Sequence, residues 1–227
     1  KTVSDTDLVK IDLGAQINGY IADTAVTVNY DPQYDQMVQT AEDALQNAMS
    51  MIKAGVKSKD VGRTIQKTIQ DMGFKPIANL SGHSLDQYTI HAGKTVPNMW
   101  TIGSFSFSEN EAFACEPFVT TKNALGFVRN GKIKNIFALV SRKKTKDDEA
   151  DRLTDYIWNN FNMLPFALRW LLKEWEEKEA RRLLEILVKK KVVHAYAILV
   201  EANGKTVAQA EHTFIPTQSG VTITTMG

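Results

Sequence analysis

Two aspartates, Asp12 and Asp23, lie on either side of an Asn18–Gly19 pair in a stretch of apolar and alternating residues. Asn-Gly between two such runs is a strong short-range signal for a β-hairpin with a two-residue turn. If these two residues form the turn, Asp23 pairs with Gly14, and Asp12 lies two residues from Gly14 on the same face. The two carboxylates are then roughly 7–8 Å apart at the backbone, and their side chains can converge on one cation.

The alternative interpretation is a pair of solvent-facing aspartates. Aspartate is depleted in strands, and the neighbours Ile11, Leu13 and Ile21 predict that the hairpin is largely buried. A buried carboxylate requires a metal or a cationic partner. Because two aspartates alone are a weak signal, the interpretation needs support from elsewhere in the chain.

Two glutamates occur in segments that are otherwise suited to burial. Glu116 lies in the apolar predicted strand Ala112–Val119, where a carboxylate is neutral, paired or a metal ligand. Glu211 follows a second turn signal, Asn203–Gly204, which predicts a hairpin in which Glu211 faces Tyr196. Both glutamates are therefore candidates for the same chemistry as the aspartates.

His83 adds an imidazole to these four carboxylates. It follows the predicted strand Phe74–Ser81, and Gly82 beside it allows a close backbone approach. A lone histidine is more often structural than a ligand, but two aspartates, two glutamates and one histidine within apolar strands indicate a metal site. A carboxylate-rich site with one imidazole suits a pair of divalent first-row ions such as Mn, Co, Fe or Zn.

Hydrophobic periodicity predicts the elements that position these residues. Strands come first, followed by two helices that end at Gly55 and Gly73, and then by further strands. Residues 147–191 are charged and helical in period, after which the chain returns to strands. This order predicts an α+β fold with an antiparallel sheet. We expect 1–146 and 192–227 to form the catalytic domain and 147–191 to form an inserted helical subdomain.

Composition and charge argue against several classes of protein. Lys+Arg number 27 and Asp+Glu 26, and the resulting net charge of +1 gives no basic footprint for nucleic acid or an anionic membrane. No apolar run reaches the ~18 residues of a membrane span, and no signal peptide opens the chain. The single cysteine, Cys115, cannot form an internal disulfide. We therefore expect a cytoplasmic protein that neither reads nucleic acid nor inserts into a membrane.

Six short motifs resemble those of the type II methionine aminopeptidases. They are Lys10-Ile11-Asp12-Leu13-Gly14, Ile21-Ala22-Asp23-Thr24-Ala25, Gly82-His83-Ser84, Ile90-His91-Ala92-Gly93-Lys94-Thr95-Val96-Pro97, Glu116-Pro117-Phe118 and Gln209-Ala210-Glu211-His212-Thr213. The motifs occur in order along nearly the whole chain. Together with the helical insertion, they are similar to those of the shorter archaeal form. The resemblance implies a pita-bread fold, which is a curved antiparallel sheet flanked by helices.

The resemblance also implies roles for individual residues. The implied metal ligands are Asp12, Asp23, His83, Glu116 and Glu211, which would hold two divalent ions. Glu116 would also move a proton, His91 would contact the scissile peptide and stabilise its oxyanion, and Phe118 and Tyr196 would line the methionine pocket. The implied activity is metal-dependent release of the N-terminal methionine from nascent proteins and peptides by hydroxide, in association with the ribosome.

The chain departs from the family pattern in two places. Asp86 stands where the family usually has glycine, which predicts an altered loop near the site. The family also has a catalytic histidine before the first hairpin, whereas all four histidines of this chain follow it. Because the chain opens on Lys1, we expect an upstream segment, without which metal binds but methionine is cleaved poorly.

Two other functions are compatible with parts of the sequence. A prolidase or an aminopeptidase P would share the fold, but Ile90-His91-Ala92-Gly93 and the helical insertion favour a methionine aminopeptidase. A non-catalytic binding module of the same fold would not need the five ligand residues, all of which this chain has.

Overall fold

The computed structural model describes residues 2–226, which form two compact units. The first unit comprises Lys1–Arg129 with Val200–Gly227, and the second comprises Asn130–Leu199. Helices and antiparallel strand pairs are both present, so the predicted α+β class is confirmed. Within residues 2–226, no helix has both the length and the apolar character needed to cross a membrane.

The elements follow one another along the chain in a mixed order. The strands are β1 (Leu8–Ile17), β2 (Tyr20–Asn29), β3 (Lys75–Pro76), β4 (Ser81–Leu85), β5 (Thr95–Pro97), β6 (Ala112–Cys115), β7 (Phe118–Thr120), β8 (Val128–Leu139), β9 (Phe166–Ala167), β10 (Val193–Glu201), β11 (Val207–Gln209), β12 (His212–Pro216) and β13 (Val221–Ile223). The helices are α1 (Asp35–Met51), α2 (Ser58–Asp71), α3 (Asp148–Phe161), α4 (Leu168–Leu171) and α5 (Glu177–Lys189). Strands pair in the orders β1-β2, β11-β7-β3, β13-β12-β6-β4-β5 and β10-β8-β9.

Strands β1 and β2 form the predicted hairpin in the predicted register. Asn18 and Gly19 both have positive φ, 53° and 86°, as a two-residue turn of this kind requires. Gly14 pairs with Asp23, so Asp12 is diagonal to Asp23 across the hairpin. The local turn signal was therefore sufficient to place the two aspartates relative to each other.

The expected burial of this hairpin is wrong for β1. Ile11 and Leu13 are 45% and 53% exposed, whereas Asp23 and Ala25 on β2 are buried. The difference is first one of faces: Ile11 pairs with Val26, which is also 50% exposed, whereas Asp23 and Ala25 lie on the other face of the hairpin. On its outer side β2 also has a neighbour, because Ala25 and Glu211 exchange backbone hydrogen bonds of 3.4 and 2.9 Å. Among the described residues, β1 is thus an edge strand, a property that its apolar residues did not reveal.

The hairpin predicted at Asn203–Gly204 does not form, although the tight turn does. Gly204 has φ 78°, and its N–H donates to the Glu201 carbonyl at 2.8 Å. The strands on either side of the turn belong to different sheets, since β10 pairs with β8 and β11 pairs with β7. Glu211 consequently bridges Ala25 and does not face Tyr196.

The strand predicted at Phe74–Ser81 is also wrong in its bounds. Two short strands, β3 and β4, occupy this region, and His83 lies within β4 instead of after it. Gly82 allows β4 to approach β6 closely, as predicted, because a Cβ atom at this position would lie 2.2 Å from the Ala114 carbonyl oxygen. The histidine is therefore held by strand pairing on both sides, to β5 and to β6.

Helices α1 and α2 pack on the same side of the strands, α1 mainly against β7 and β11 and α2 mainly against β3 and β5. Residues at helical spacing, such as Ala41 and Ala48 on α1 and Ile65 on α2, are completely buried. They share a core with Phe113 of β6 and Phe214 of β12. Ala114 is the next residue after Phe113 on β6, and it pairs with His83 on β4 and with Thr213 on β12. Alternation therefore directs His83 to the face opposite the helices.

The second unit has a hydrophobic core of its own. Its buried residues come from β8, β9 and the helices, with Leu153 on α3 and Leu184 on α5 among them. Asp147 caps α3 by accepting a 3.0 Å hydrogen bond from the Ala150 N–H. The predicted helical insertion, 147–191, lies within this unit, which also takes in most of β8 and β10.

Candidate metal centre

The carboxylates and the imidazole that the sequence singled out lie close together in the first unit. Asp23 Oδ2 is 3.8 Å and Glu116 Oε1 is 3.6 Å from His83 Nε2. Asp23, His83 and Glu211, all buried, offer ligand atoms that lie within 4.8 Å of one another. Four chain segments that are distant in sequence therefore meet at one point.

Asp12 joins this group through a residue that the sequence analysis did not select. Gln209 Nε2 donates to Asp12 Oδ2 at 3.1 Å and to Glu116 Oε2 at 3.3 Å. Gln209 thereby orients two carboxylates, one from the exposed strand β1 and one from the buried segment after β6. Its position two residues before Glu211, in the same motif, was the signal that could have identified it.

Two threonines, also missed, fix the main chain of the site. Thr213 Oγ1 accepts from the Asp23 N–H at 2.7 Å and donates to the Asp23 carbonyl at 2.8 Å. Thr24 Oγ1 donates to the Glu211 carbonyl at 2.8 Å. These hydroxyl groups lock β2 against the segment 211–213, so the positions of Asp23 and Glu211 are coupled.

Burial shifts the pKa values of several site groups in the direction that favours their uncharged forms. Burial, reinforced by Asp12, raises the pKa of Asp23 to about 6. Burial and the neighbouring carboxylates raise the pKa of Glu211 to about 10 and that of Glu116 well above its ordinary value. Burial, with His91 nearby, lowers the pKa of His83 to about 4.

The residues of the site fit divalent cations. The charge of Lys10 lowers the pKa of Glu116, but burial lowers the pKa of Lys10 itself, so this lysine is a weak counter-ion for several carboxylates. Buried carboxylates in excess of cations need either protons or metal ions. Oxygen donors with one imidazole nitrogen are a ligand set for divalent first-row metals.

The remaining predicted site residues occupy different surroundings. His91 is exposed, and its ring lies edge-on to that of His83 with centroids 4.4 Å apart. Phe118 begins β7 and is buried, with Lys10 Nζ 5.5 Å from its ring centroid. Tyr196 lies on β10 in the second unit, where its ring meets His194 edge-on at 4.6 Å.

Asp86 occupies a position that does not require glycine. The non-glycine residue with positive φ in its loop is Tyr88, at 55°. Asp86 forms a β-bridge with Thr89, and its carboxylate accepts from the Gln87 N–H at 2.7 Å. The loop also holds the hairpin, because the Tyr88 N–H donates to the Gly19 carbonyl at 2.9 Å.

Comparison with known proteins places this chain in a family. The family model for "Metallopeptidase family M24" matches residues 1–140. A methionine aminopeptidase of Thermococcus kodakarensis is 40% identical over 98% of this chain, and the match covers 75% of that relative. The chain belongs to metallopeptidase family M24. Its members use divalent metal, so the chain is a metallopeptidase, and the predicted relationship to archaeal methionine aminopeptidases is confirmed.

Solved structures support the pita-bread fold that the family resemblance implied. A thermophilic Arx1 matches with a TM-score of 0.79 and 17% identity over 96% of this chain and 66% of that chain. A methionine aminopeptidase of Thermotoga maritima matches with a TM-score of 0.65 and 22% identity over 100% of this chain and 67% of that chain. Because these identities are low, the solved structures are evidence for the fold only. The family model and the archaeal relatives establish that the chain belongs to family M24.

Proposed function

We propose that the chain hydrolyses the peptide bond after an N-terminal methionine, with two divalent ions held by Asp12, Asp23, His83, Glu116 and Glu211. The observation that carries the proposal is the meeting of carboxylates with one imidazole in a member of a metallopeptidase family. The relatives' name, methionine aminopeptidase, supports the substrate. Co, Mn, Fe and Zn are the candidate ions because all four accept mixed oxygen and nitrogen ligands.

The residues of the chain divide the remaining chemistry between them. When bound, a pair of divalent ions activates water and polarises the scissile carbonyl. Glu116 takes the proton released by water and returns it to the leaving amine, a role that suits a carboxylate 3.6 Å from His83 within the candidate metal centre. His91, beside His83, donates a hydrogen bond to the carbonyl oxygen as negative charge develops there.

Substrate selection rests on an apolar pocket. We assign one of its walls to Phe118, since an unbranched, polarizable thioether packs well against an aromatic ring. The partners in this proposal are nascent proteins and peptides in the cytoplasm, met in association with the ribosome. Recognition of nucleic acid sequence is not part of the proposed function.

Release of methionine from a short peptide tests the proposal. The protein is stripped with a chelator, dialysed, and assayed for free methionine from Met-Ala-Ser before and after addition of Co, Mn, Fe or Zn. We expect activity to disappear with the metal and to return with at least one ion, and elemental analysis of the active protein to give two ions per chain. Ala-Ala-Ser and Ala-Pro serve as matched peptides for a general aminopeptidase and a prolidase.

Three outcomes would contradict this function. Methionine release that survives complete removal of metal would exclude the metal-dependent mechanism. Faster cleavage of Ala-Pro than of Met-Ala-Ser would assign the chain to the proline-directed members of the fold. Failure of every ion to bind would leave a non-catalytic binding module as the better description.

A further inference from the structure

A groove adjoins the candidate metal centre on the side of β4 and β5. Its inner part, of about 260 Å³, is lined by both His83 and His91. Its outer part, of about 780 Å³, extends to Trp100 and Thr101. The two parts share the lining residues Asn79, Leu80, Ser81, Gly93, Lys94 and Thr95, so they form one continuous depression, which we call the β4–β5 groove.

Strand pairing shows that the inner part of the groove lies on the site face of the sheet. His83 is paired with Thr95, and Ser81 is paired with Pro97. Residues that are paired directly, or that lie two positions apart on one strand, share a face. A chain that lies in the inner part of the groove would therefore start on the surface that carries His83, and the outer part leads on from there to the loop of Trp100.

The lining of the groove combines polar and apolar groups and carries little charge. Hydroxyl and amide side chains, including Asn79, Thr101 and Ser104, alternate with apolar walls. The ammonium group of Lys94 contacts both carboxylate oxygens of Glu111 at 2.6 Å, which neutralises it. Such a surface can hydrogen-bond to a peptide backbone without selecting charged side chains.

The outer wall of the groove is fixed before any ligand binds. The Trp100 N–H donates to Gln66 Oε1 on α2 at 3.1 Å, and the Ser58 N–H donates to the Phe105 carbonyl at 2.9 Å. Asn98 Nδ2 donates to the carbonyls of Leu80 and Glu116, both at 3.0 Å, which ties the groove to the metal site. The Trp100 side chain nevertheless remains 48% exposed.

We propose that the β4–β5 groove binds the substrate residues that follow the N-terminal methionine, in an extended conformation, with Trp100 as a contact at its outer end. The inference rests on the proposed function. Exopeptidase cleavage after the first residue leaves the rest of the substrate on one side of the scissile bond, and this groove starts at His91. The volume of its outer part, about 780 Å³, is in the range of about 300–1,000 Å³ that is usual for ligand sites.

Substrate length and a single substitution test the groove. The ratio of kcat/KM for Met-Ala-Ser-Gly-Ser-Ala-Gly-Ser to that for Met-Ala-Ser is measured in the metal-loaded protein. We expect the longer peptide to be favoured through a lower KM, and Trp100→Ala to reduce that ratio about tenfold, the usual size for loss of an anchoring tryptophan. Ile102→Ala is the matched control, because Ile102 is in the same loop, is 87% exposed and does not line the groove.

A binding measurement separates this inference from the proposed function. The product peptide Ala-Ser-Gly-Ser-Ala-Gly-Ser is titrated calorimetrically into the wild-type protein, Trp100→Ala and Ile102→Ala. If no methionine is released from either substrate but binding of this peptide weakens about tenfold in Trp100→Ala alone, the groove stands and the proposed function fails. If methionine is released without any dependence on length, or if Trp100→Ala and Ile102→Ala behave alike, the groove proposal is wrong.

Discussion

Asp23 is fixed by its main chain as well as by its carboxylate. Thr213 hydrogen-bonds to both the N–H and the carbonyl of Asp23, so the backbone keeps its place whatever the side chain is. The carboxylate then has to be accommodated next to Asp12 in a buried position, and its pKa rises to about 6 as a result. The buried charge of Asp23 lowers the folding stability of the metal-free protein, but it is in place to bind a cation.

Replacing Asp23 with Asn therefore separates binding from folding. We expect metal affinity to fall by at least about 100-fold, because loss of a ligand should cost no less than loss of a supporting residue. The metal-free protein should keep its melting temperature or gain slightly, since a buried charge is removed. Titration against a metal-sensitive dye and a melting curve measure the two effects. Glu42→Gln, at an exposed position on α1, is the control.

The sequence predicted single residues well where the signal was local. The Asn18–Gly19 turn determined the register of Asp12 and Asp23, because a two-residue hairpin leaves no freedom in pairing. Glu211 was identified as a candidate, but its neighbour was wrong. Its pairing with Ala25 joins segments far apart in the sequence, and no local pattern specifies such a contact.

Strands β4 and β6 approach unusually closely beside the metal site. The space that a side chain at position 82 would need is occupied by the backbone carbonyl of Ala114. The main chain cannot yield as a flexible side chain would, so this contact determines how near His83 lies to Glu116. The glycine is therefore a structural requirement of the β4–β6 pair.

Substitution of Gly82 by Ala should disturb both the pair and the site. Overpacking of this kind costs about 1–3 kcal/mol, or a fall in Tm of about 2–10 °C for a chain of this size. We expect metal affinity to fall as well, because His83 moves with β4. Gly220→Ala is the matched control, since a Cβ there meets no atom within 4 Å. Equal melting temperatures for the two variants would show that the close approach is not constraining.

Edge strands were the elements that the sequence described least well. Strand β1 has the apolar residues of an inner strand, yet Ile11 and Leu13 are exposed. Periodicity reports which residues alternate along a strand, but it does not report which face the rest of the chain covers or whether a second strand lies beyond it. The helices were easier to predict, because a buried stripe such as Val61, Ile65 and Ile69 specifies both the helix and the face that it buries.

For the molecule as a whole, the protonation of the site links stability to pH. The folded-state pKa of Glu211, about 10, lies above the ordinary value of 4.5, so folding of the metal-free protein favours the protonated carboxyl. The stabilisation is complete below the ordinary pKa and is lost as the pH rises through the folded-state value. Bound metal reverses the dependence, because a cation requires the carboxylate and displaces the proton.

The melting temperature should therefore depend on pH with opposite sign in the two forms. Between about pH 7 and pH 9, we expect the chelator-treated protein to become less stable and the metal-loaded protein to become relatively more stable. Glu211→Gln should weaken the pH dependence of the chelator-treated protein, because the amide does not titrate. Parallel pH profiles with and without metal would contradict this account of the site.

The proposed set of five ligands also bears on when the metal centre can form during synthesis of the chain. Its members lie between Asp12 and Glu211, so a bound ion would close a loop that contains most of the polypeptide. Lengthening such a loop adds only slowly to the entropy that must be lost on closure. The ribosome makes the chain from its N-terminus, however, and Glu211 is synthesised after the other four ligands. A partly made chain thus has an incomplete coordination shell, and the centre assembles only as synthesis reaches the strands near the C-terminus.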